Sequence, residues 1–452
     1  LAPHEGDEAR AAWLRLVERT LGGRPASSLA ARIEPSMLVE PLAPAGRLPP
    51  LWSRGGSAWT RLQRLDRDDI ASARRGLENG ADGIEFVLAG APTAWRGGIE
   101  HAALAPLLGE LPIDRLALRF SAGSRLEVAA TIDDAIAAAR LDPSLMRVSF
   151  GLDPIGGAAR GGATLAKGQR DALVATVERL AGRGYRGPVL SADARPIHAA
   201  GGFASTELAY AAAAYVSLLR ALLDGGVVDG VALAAIDVAL AADADQFVTM
   251  SKLRAMRLLQ ARILAAAGLP PAALPLHAET AWSMLAAEDE GSNVVRATIA
   301  ALAAALGGAD SIAVLPHRAA SAAGDAEAER LALTLQAVLA EEARLHAVDD
   351  PGAGSGTVES LTLALAEAAW SLLQEIEGLG GLPAAESSSW LAARIAADRE
   401  DGRRRLASGE AAIIGVTLHR ADGAPLPDPV DEAVGDPFGA RRRAAPFERR
   451  SS

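Results

Sequence analysis

From about Gly83 onward the chain alternates short runs rich in β-branched and apolar residues with longer stretches in which Ala and Leu recur at helical spacing. That alternation predicts repeated strand–helix units. The strand runs are Gly83–Leu88, Arg115–Phe120, Met146–Gly151, Pro188–Asp193, Leu233–Leu240, Leu274–Glu279 and Asp310–Leu315, with helices such as Ser205–Leu223 and Gln246–Ala267 between them. The runs are apolar almost throughout, which a sheet covered on both faces requires. The class is therefore α/β. The pattern suits a closed (β/α)8 TIM-type barrel, which typically takes roughly 250 residues, better than an open doubly wound sheet. Seven strands are identified in this way, and the eighth is not located.

After Pro316 the pattern stays helical to about Gly409, with Glu327–Leu345 and Glu359–Leu379 as its main helices, and this region is expected to pack on the outside of the barrel. The chain then divides into an N-terminal arm (1–50), a barrel (51–320), a C-terminal helical extension (321–420) and a linker or tail (421–452) rich in Pro, Gly and charge. Within the arm, Ala11–Leu21 is amphipathic and too short to be stable alone. The Gly-rich run Gly151–Gly162 reads as a loop at the barrel mouth, because no clear helix start follows it.

Composition narrows the chemistry. The 452 residues contain no cysteine, which removes disulfides, thiolate nucleophiles and Cys-ligated metals. The formal net charge is −11, and the basic runs are only Arg403–Arg405 and Arg441–Arg443, read as solvated faces or tail; nucleic acid is not an expected partner. The longest apolar stretch, Gly225 to Ala242, is interrupted by Asp229 and Asp237, so no membrane span is expected. The first residues have no basic region followed by an apolar core, and a cytoplasmic location is the expectation. Only two lysines occur, Lys167 and Lys252, and neither lies in a P-loop; no dinucleotide-binding glycine motif follows the first strand run.

Candidate chemistry lies where strands end, because groups at strand C-termini face the mouth of a barrel. Asp193, His198, His277, Glu279 and His317 are the candidate mouth residues, with His101 a weaker one. His277 and Glu279 are two apart on one strand and share a face. The commoner role of such a histidine is a hydrogen-bonded core or rim residue. No H-x-H or H-x-x-x-H spacing supports a metal site, and no G-x-S-x-G elbow supports acyl transfer.

Several stretches, in order, carry a resemblance: Ala58–Arg64 (AWTRLQR), Glu207–Tyr210 (ELAY), Gln246–Leu259 (QFVTMSKLRAMRLL), His277–His317, Ala369–Gly381 (AWSLLQEIEGLGG) and Ala393–Val416. Together they resemble successive landmarks of the methylmalonyl-CoA mutase family over roughly Leu51 to Thr417. The resemblance implies a barrel that encloses acyl-CoA, beside a separate cobalamin domain whose adenosylcobalamin supplies the radical. Catalytic members carry a Tyr five residues before the Trp of an R-P-W-T motif, and a Y-H-M-Q-E-A-G-A stretch whose Tyr and His face the substrate. Here Arg54 stands at the first position, Ser57-Ala58 replace the Arg-Pro, and Arg195 and Pro196 stand at the Tyr and His. Proline has no proton to donate, and arginine is no neutral phenol.

No D-x-H-x-x-G cobalamin motif is present either. The pattern therefore resembles the small, non-catalytic subunits of that family, with no catalytic residue and no cofactor or metal of their own. It implies adenosylcobalamin in a catalytic large (alpha) subunit, which is the expected heterodimer partner, and an assembly GTPase chaperone as a further partner. Arg441–Arg450 resembles the lead-in to a degenerate cobalamin-like domain. Two alternatives stay open: an active barrel served by a separate cobalamin protein, and a stand-alone acyl-CoA-binding or scaffold protein. Three further expectations follow. Residues 51–320 form the barrel, side chains including Arg54 and Arg195 block its axial CoA path, and the arm through about Pro50 reaches onto the large subunit.

Overall fold

The computed structural model describes residues 3–321, 325–420 and 438–449. A short antiparallel hairpin, β1 (Ala31–Glu34) and β2 (Met37–Val39), precedes eight strands: β3 (Thr60–Leu65), β4 (Gly83–Val87), β5 (Ala117–Ser121), β6 (Arg147–Ser149), β7 (Leu190–Asp193), β8 (Ile236–Ala242), β9 (Leu276–Thr280) and β10 (Ser311–Ala313). These eight run β6-β5-β4-β3-β10-β9-β8-β7, every pair parallel. The Phe150 amide donates to the Pro188 carbonyl and the Ser191 amide to the Leu152 carbonyl, which joins β6 to β7 and closes the barrel.

The eighth strand is β3, ahead of the seven identified from hydrophobicity. Its sequence TRLQRL is polar on both faces, so it does not read as a buried strand. Gln63 bonds Ser72 of the helix that follows it, and Arg64 turns into the barrel to meet Glu279. At two of the predicted strand starts the chain is helical instead: Ile113–Arg115 is a 3-10 turn, and Leu233 lies in the short helix Asp229–Ala234.

Helix Ala204–Asp224 is packed between the barrel and helices Gln246–Ala266 and Gly356–Gly378. It is the one helix among the described residues long and apolar enough to cross a membrane, and 78% of its apolar window is buried inside the protein. The predicted helix Glu327–Leu345 is shorter. It runs Ala326–Ala337 and one π turn to Glu342, then breaks where Arg344 adopts a left-handed φ of 52°.

The arm is only partly an arm. Helix Ala204–Asp224 begins after Phe203 with no side-chain cap of its own, and its first amides need acceptors. Two carboxylates from distant segments supply them. Glu34 accepts from the Ser205 amide at 3.0 Å, and Asp398 accepts from the Phe203 amide at 3.0 Å. Met37 is buried, and the Leu48 and Leu51 amides donate to Glu359 and Asp350, so residues 31–51 are bound to this chain's own barrel and helices. Helix Pro3–Thr20 lies outside that attachment, with Leu16 55% exposed.

The Gly-rich run is not a loop. After Gly151 the chain forms helix Pro154–Arg160, with Pro154 in its first turn and Asp153 accepting from the Gly156 amide at 2.8 Å. This is an Asp N-cap followed by an N1 proline, and it outweighs the poor helix propensity of Gly156 and Gly157. Gly151 itself has a φ of +58°, and a Cβ there would sit 1.7 Å from the Phe120 carbonyl oxygen. The predicted tail also differs. Residues 421–437 lie outside the described residues, but 438–449 pack on the barrel, with Phe438 buried and Arg442 buried against Glu448 at 2.9 Å.

Two expectations follow. Gly151→Ala must displace the β5 backbone, and urea unfolding should show a loss of at least ~2 kcal/mol. The second concerns Asp153, which burial pushes up to about 6, with Arg160 opposing. Its folded value lies above its unfolded one, so its contribution is fully present below 3.8 and is lost as pH rises through 6. Asp153→Asn removes that loss while keeping an acceptor for the cap. Relative to the wild type, its stability should therefore rise by roughly 3 kcal/mol between the two pH values, measured by urea unfolding across that range.

Candidate functional site

Alternate strand positions point inward, and in this barrel many of them are charged. Register places Arg64 of β3 beside Glu85 of β4, Glu85 beside Arg119 of β5, and Arg119 beside Ser149 of β6. On the other side Ser191 of β7 neighbours Asp237 of β8, and His277 of β9 neighbours Ser311 of β10. All the charged members of this set are 8% exposed or less.

Arg195 joins the two sides. It follows β7 as the first residue of helix Arg195–Ala199, and its side chain turns back into the barrel. Its Nε and Nη2 donate to the two oxygens of Asp193 at 2.9 and 2.8 Å. Nη1 donates to Glu85 at 2.7 Å and Glu279 at 3.3 Å, and Nη2 also reaches the Ser121 hydroxyl at 2.8 Å. Arg64 pairs with Glu279, and Arg119 donates to Asp237 at 2.6 Å and to the Ser149 hydroxyl at 3.1 Å. The guanidinium of Arg195 thus spans from β7 to β4, β5 and β9 across the interior.

Electrostatics follow from that geometry. Burial opposes the charge on Arg195, but Asp193, Glu85 and Glu279 hold its pKa well above the ordinary value. Burial alone would raise Glu85, yet Arg195, with Arg64, holds it well below the usual carboxylate range. Asp193 is likewise held low against burial, mainly by Arg195, whereas burial keeps Glu279 raised despite Arg64 and Arg195. His277 is pushed down to about 4 by burial and then by Arg119, so it is neutral, with Nδ1 2.9 Å from the Ser311 hydroxyl and Nε2 3.5 Å from Glu85. Each cation of the network pairs with at least one carboxylate, although Glu85 Oε2 and Asp237 Oδ1 make no hydrogen bond, and Trp95 closes the mouth side by donating to Glu279 at 3.2 Å.

The structure brings Asp193, Arg195, His277 and Glu279 together, and leaves other predicted residues apart. Pro196 sits in the first turn of its short helix, where no amide is needed. His198 lies above the network at the mouth, with Nε2 3.1 Å from Asp243 and Nδ1 3.1 Å from the Ser283 hydroxyl. His317 is half-buried elsewhere, its pKa lowered by burial and by Arg318, and its carbonyl accepts from Asn293. His101 bonds Thr131 on the flanking helices at 2.8 Å.

Arg54 does not block the barrel axis. It lies at the opposite, N-terminal end, donating to the Ala305 and Ala309 carbonyls at 2.7 and 3.0 Å and stacking over Trp52 at 4.5 Å. The carbonyls at the end of helix Glu290–Leu306 attract a cation, which explains this placement. Near it, a shallow cleft of about 420 Å³ is lined by Trp59, Arg61, Asp82, Arg115 and Arg147.

Glu85, Arg119, Asp237, Arg64 and Trp95 were not singled out from sequence. Four of them had a usable signal: a lone charge in the middle of a strand must enter the barrel or face a helix. Trp95 had none. Among the described residues, no three His, Asp or Glu side chains converge in a way that could hold a metal ion.

Comparison with known proteins supplies the family. The profile described as Methylmalonyl-CoA mutase matches residues 186–437. The chain is 35% identical over 451 residues to a Streptomyces virginiae protein named methylmalonyl-CoA mutase small subunit, covering 92% of this chain and 71% of that protein. It is 36% identical to the probable small subunit of Mycobacterium bovis, over 78% of this chain and 57% of that protein, so the chain spans only part of these relatives' length. It is also 32% identical to the large subunit of Porphyromonas gingivalis, over 54% of this chain and 34% of that one. With 35% identity across nearly its whole length to a protein named as a small subunit, and a barrel closed by eight parallel strands, the chain belongs to the methylmalonyl-CoA mutase family.

Proposed function

We propose that this chain is the non-catalytic small subunit of an adenosylcobalamin-dependent methylmalonyl-CoA mutase, the isomerase that interconverts methylmalonyl-CoA and succinyl-CoA. It would support a catalytic large subunit in a heterodimer. One observation carries the reading: the family's Tyr-His pair is Arg195-Pro196 here, and the Arg195 guanidinium occupies the barrel interior in four-sided contact with Asp193, Glu85, Glu279 and Ser121. A substrate threaded there would have to displace a buried cation, leaving several carboxylates unpaired in low dielectric. Breaking one such pair typically costs about 3–5 kcal/mol.

Adenosylcobalamin does not fit the mouth of this barrel. His198 is engaged on both ring nitrogens, by Asp243 and Ser283, and the Ser283 carbonyl accepts from the Arg443 amide lying over it. In this reading the chain supplies no group to the radical chemistry. The reading in which the barrel is itself active with a separate cobalamin protein needs the Tyr and His that are absent. Similarity to both large and small subunits supports a heterodimer built from two related barrels.

Partner binding fits the exposed leucines of the arm: Leu16 and Leu29 precede the segment 31–51 that this chain holds, and Leu38 and Leu42 lie within that segment, exposed by 55%, 47%, 65% and 39% in that order. Such a run of exposed leucines suits an obligate-type interface of more than ~2,000 Å².

Two outcomes are expected. The purified chain, supplied with adenosylcobalamin and methylmalonyl-CoA, should show no turnover, while co-expression with the large subunit should yield an active complex of fixed stoichiometry; turnover by the chain alone would overturn the reading. Removing residues 1–22 leaves the Glu34 and Met37 attachments intact, so thermal unfolding of the isolated chain should barely move. The same deletion should weaken capture by the large subunit at least ~10-fold, read by pull-down and light scattering.

A further inference from the structure

The C-terminal face of the barrel, where the strands end and where barrel enzymes place their sites, is covered by this chain's own residues 438–449. The Arg441 amide donates to the Ala199 carbonyl after β7, and the Arg443 amide to the Ser283 carbonyl after β9, at 2.8 and 2.9 Å. The Arg443 guanidinium reaches Asp243, after β8, at 2.8 Å. Glu448 accepts from the Ala287 amide at 2.6 Å and from Arg442 at 2.9 Å, and Arg449 pairs with Glu288 at 2.8 Å. Ala440 packs against a small apolar cluster that contains Trp282, which stacks on Trp95 at 5.9 Å. Beneath these lies the relay Ser283–His198–Asp243.

This segment joins no sheet, and its anchorage is mostly polar; its apolar contribution comes chiefly from Phe438 and Ala444. A unit held in that way can open at a free energy well below that of global unfolding. We propose that residues 438–449 form a displaceable strap that shuts the C-terminal mouth, keyed by the Arg443–Asp243 pair, and that it opens without unfolding the barrel. Opening would uncover the Ser283–His198–Asp243 relay and the Trp95–Trp282 stack. The closed strap is an intramolecular cover over a face that the barrel architecture otherwise leaves available.

The chain contains no cysteine, so single-thiol reporters are clean. Ser283→Cys places one under the strap, and Ser191→Cys places one inside β7; both positions are 2% exposed. Labelling with a small aromatic disulfide reagent in the intact chain should modify Ser283→Cys at least ~10-fold faster than Ser191→Cys. Its rate should be nearly independent of low urea, whereas that of Ser191→Cys should rise with urea. Adding Arg443→Ala should speed the first reporter again by ~10-fold and leave the second unchanged. Equal rates and equal urea slopes would show that the strap is part of the global folding unit, and labelling of Ser283→Cys at the rate of a free thiol would show that the face is open. Either result overturns the proposal, as would an Arg443→Ala background that leaves the Ser283→Cys rate unchanged. The two single reporters decide the matter even where Arg443→Ala does not fold.

Discussion

Burying charge inside a closed barrel is possible only if every charge meets its opposite there. Arg195 is the group on which that condition turns, because it alone donates to Asp193, Glu85 and Glu279 at once. Without it those carboxylates would face one another across a dry interior. With it, the carboxylates of β4, β7 and β9 are tied to one planar cation, and Arg64 and Arg119 complete the set against Glu279 and Asp237. Ion pairs of this kind add little net stability over a well-packed apolar core, but removing one member is costly, so they hold the interior in a single arrangement. The same arrangement fills the axis of the barrel with paired side chains of the chain itself.

The outside of the barrel repeats the device with single pairs. Lys252, one of only two lysines, is buried against Glu207 at 2.5 Å, and the other oxygen of Glu207 accepts the Ala241 amide of β8. One pair thus fixes two helices and a strand. Glu34 and Asp398 cap the helix Ala204–Asp224, whose N-terminus favours negative charge. These carboxylates come from the hairpin near the start of the chain and from the last long helix, so both of those elements are anchored on one core helix. Burial raises the pKa of Glu34, with the nearby Asp398 adding to it, so the attachment is a hydrogen-bonded cap more than an ion pair.

Polar closure also governs the mouth. Arg443, Asp243, His198 and Ser283 form a chain of contacts from the covering segment down towards the strand ends, and Arg443 and His198 together hold Asp243 far below the ordinary carboxylate value against its burial. The Trp95–Trp282 stack lies alongside, and Trp95 connects it to Glu279 in the interior network. Mouth and interior therefore meet at Trp95, which stacks on Trp282 on one side and donates to Glu279 on the other.

Sequence by itself determined the class of fold, because strands buried on both faces must be apolar throughout and helices must present an apolar stripe; seven of the eight strands carry that mark. It also determined that the pair Arg195-Pro196 carries neither a phenol nor an imidazole, wherever it sits. It did not reveal β3, whose Gln63 and Arg64 are satisfied only by Ser72 and Glu279, which lie 9 and 215 residues away. Nor did it reveal that Asp153 starts a helix in a glycine-rich run, that Arg54 leaves the axis for helix-end carbonyls, or that Arg442 is buried. For Arg64 the partner is remote in sequence, and for Asp153 and Arg54 it is the backbone itself. Hydrophobic periodicity is a local property and can be read residue by residue. The pairing of buried charges is decided only when the closed barrel brings distant strands within hydrogen-bonding distance.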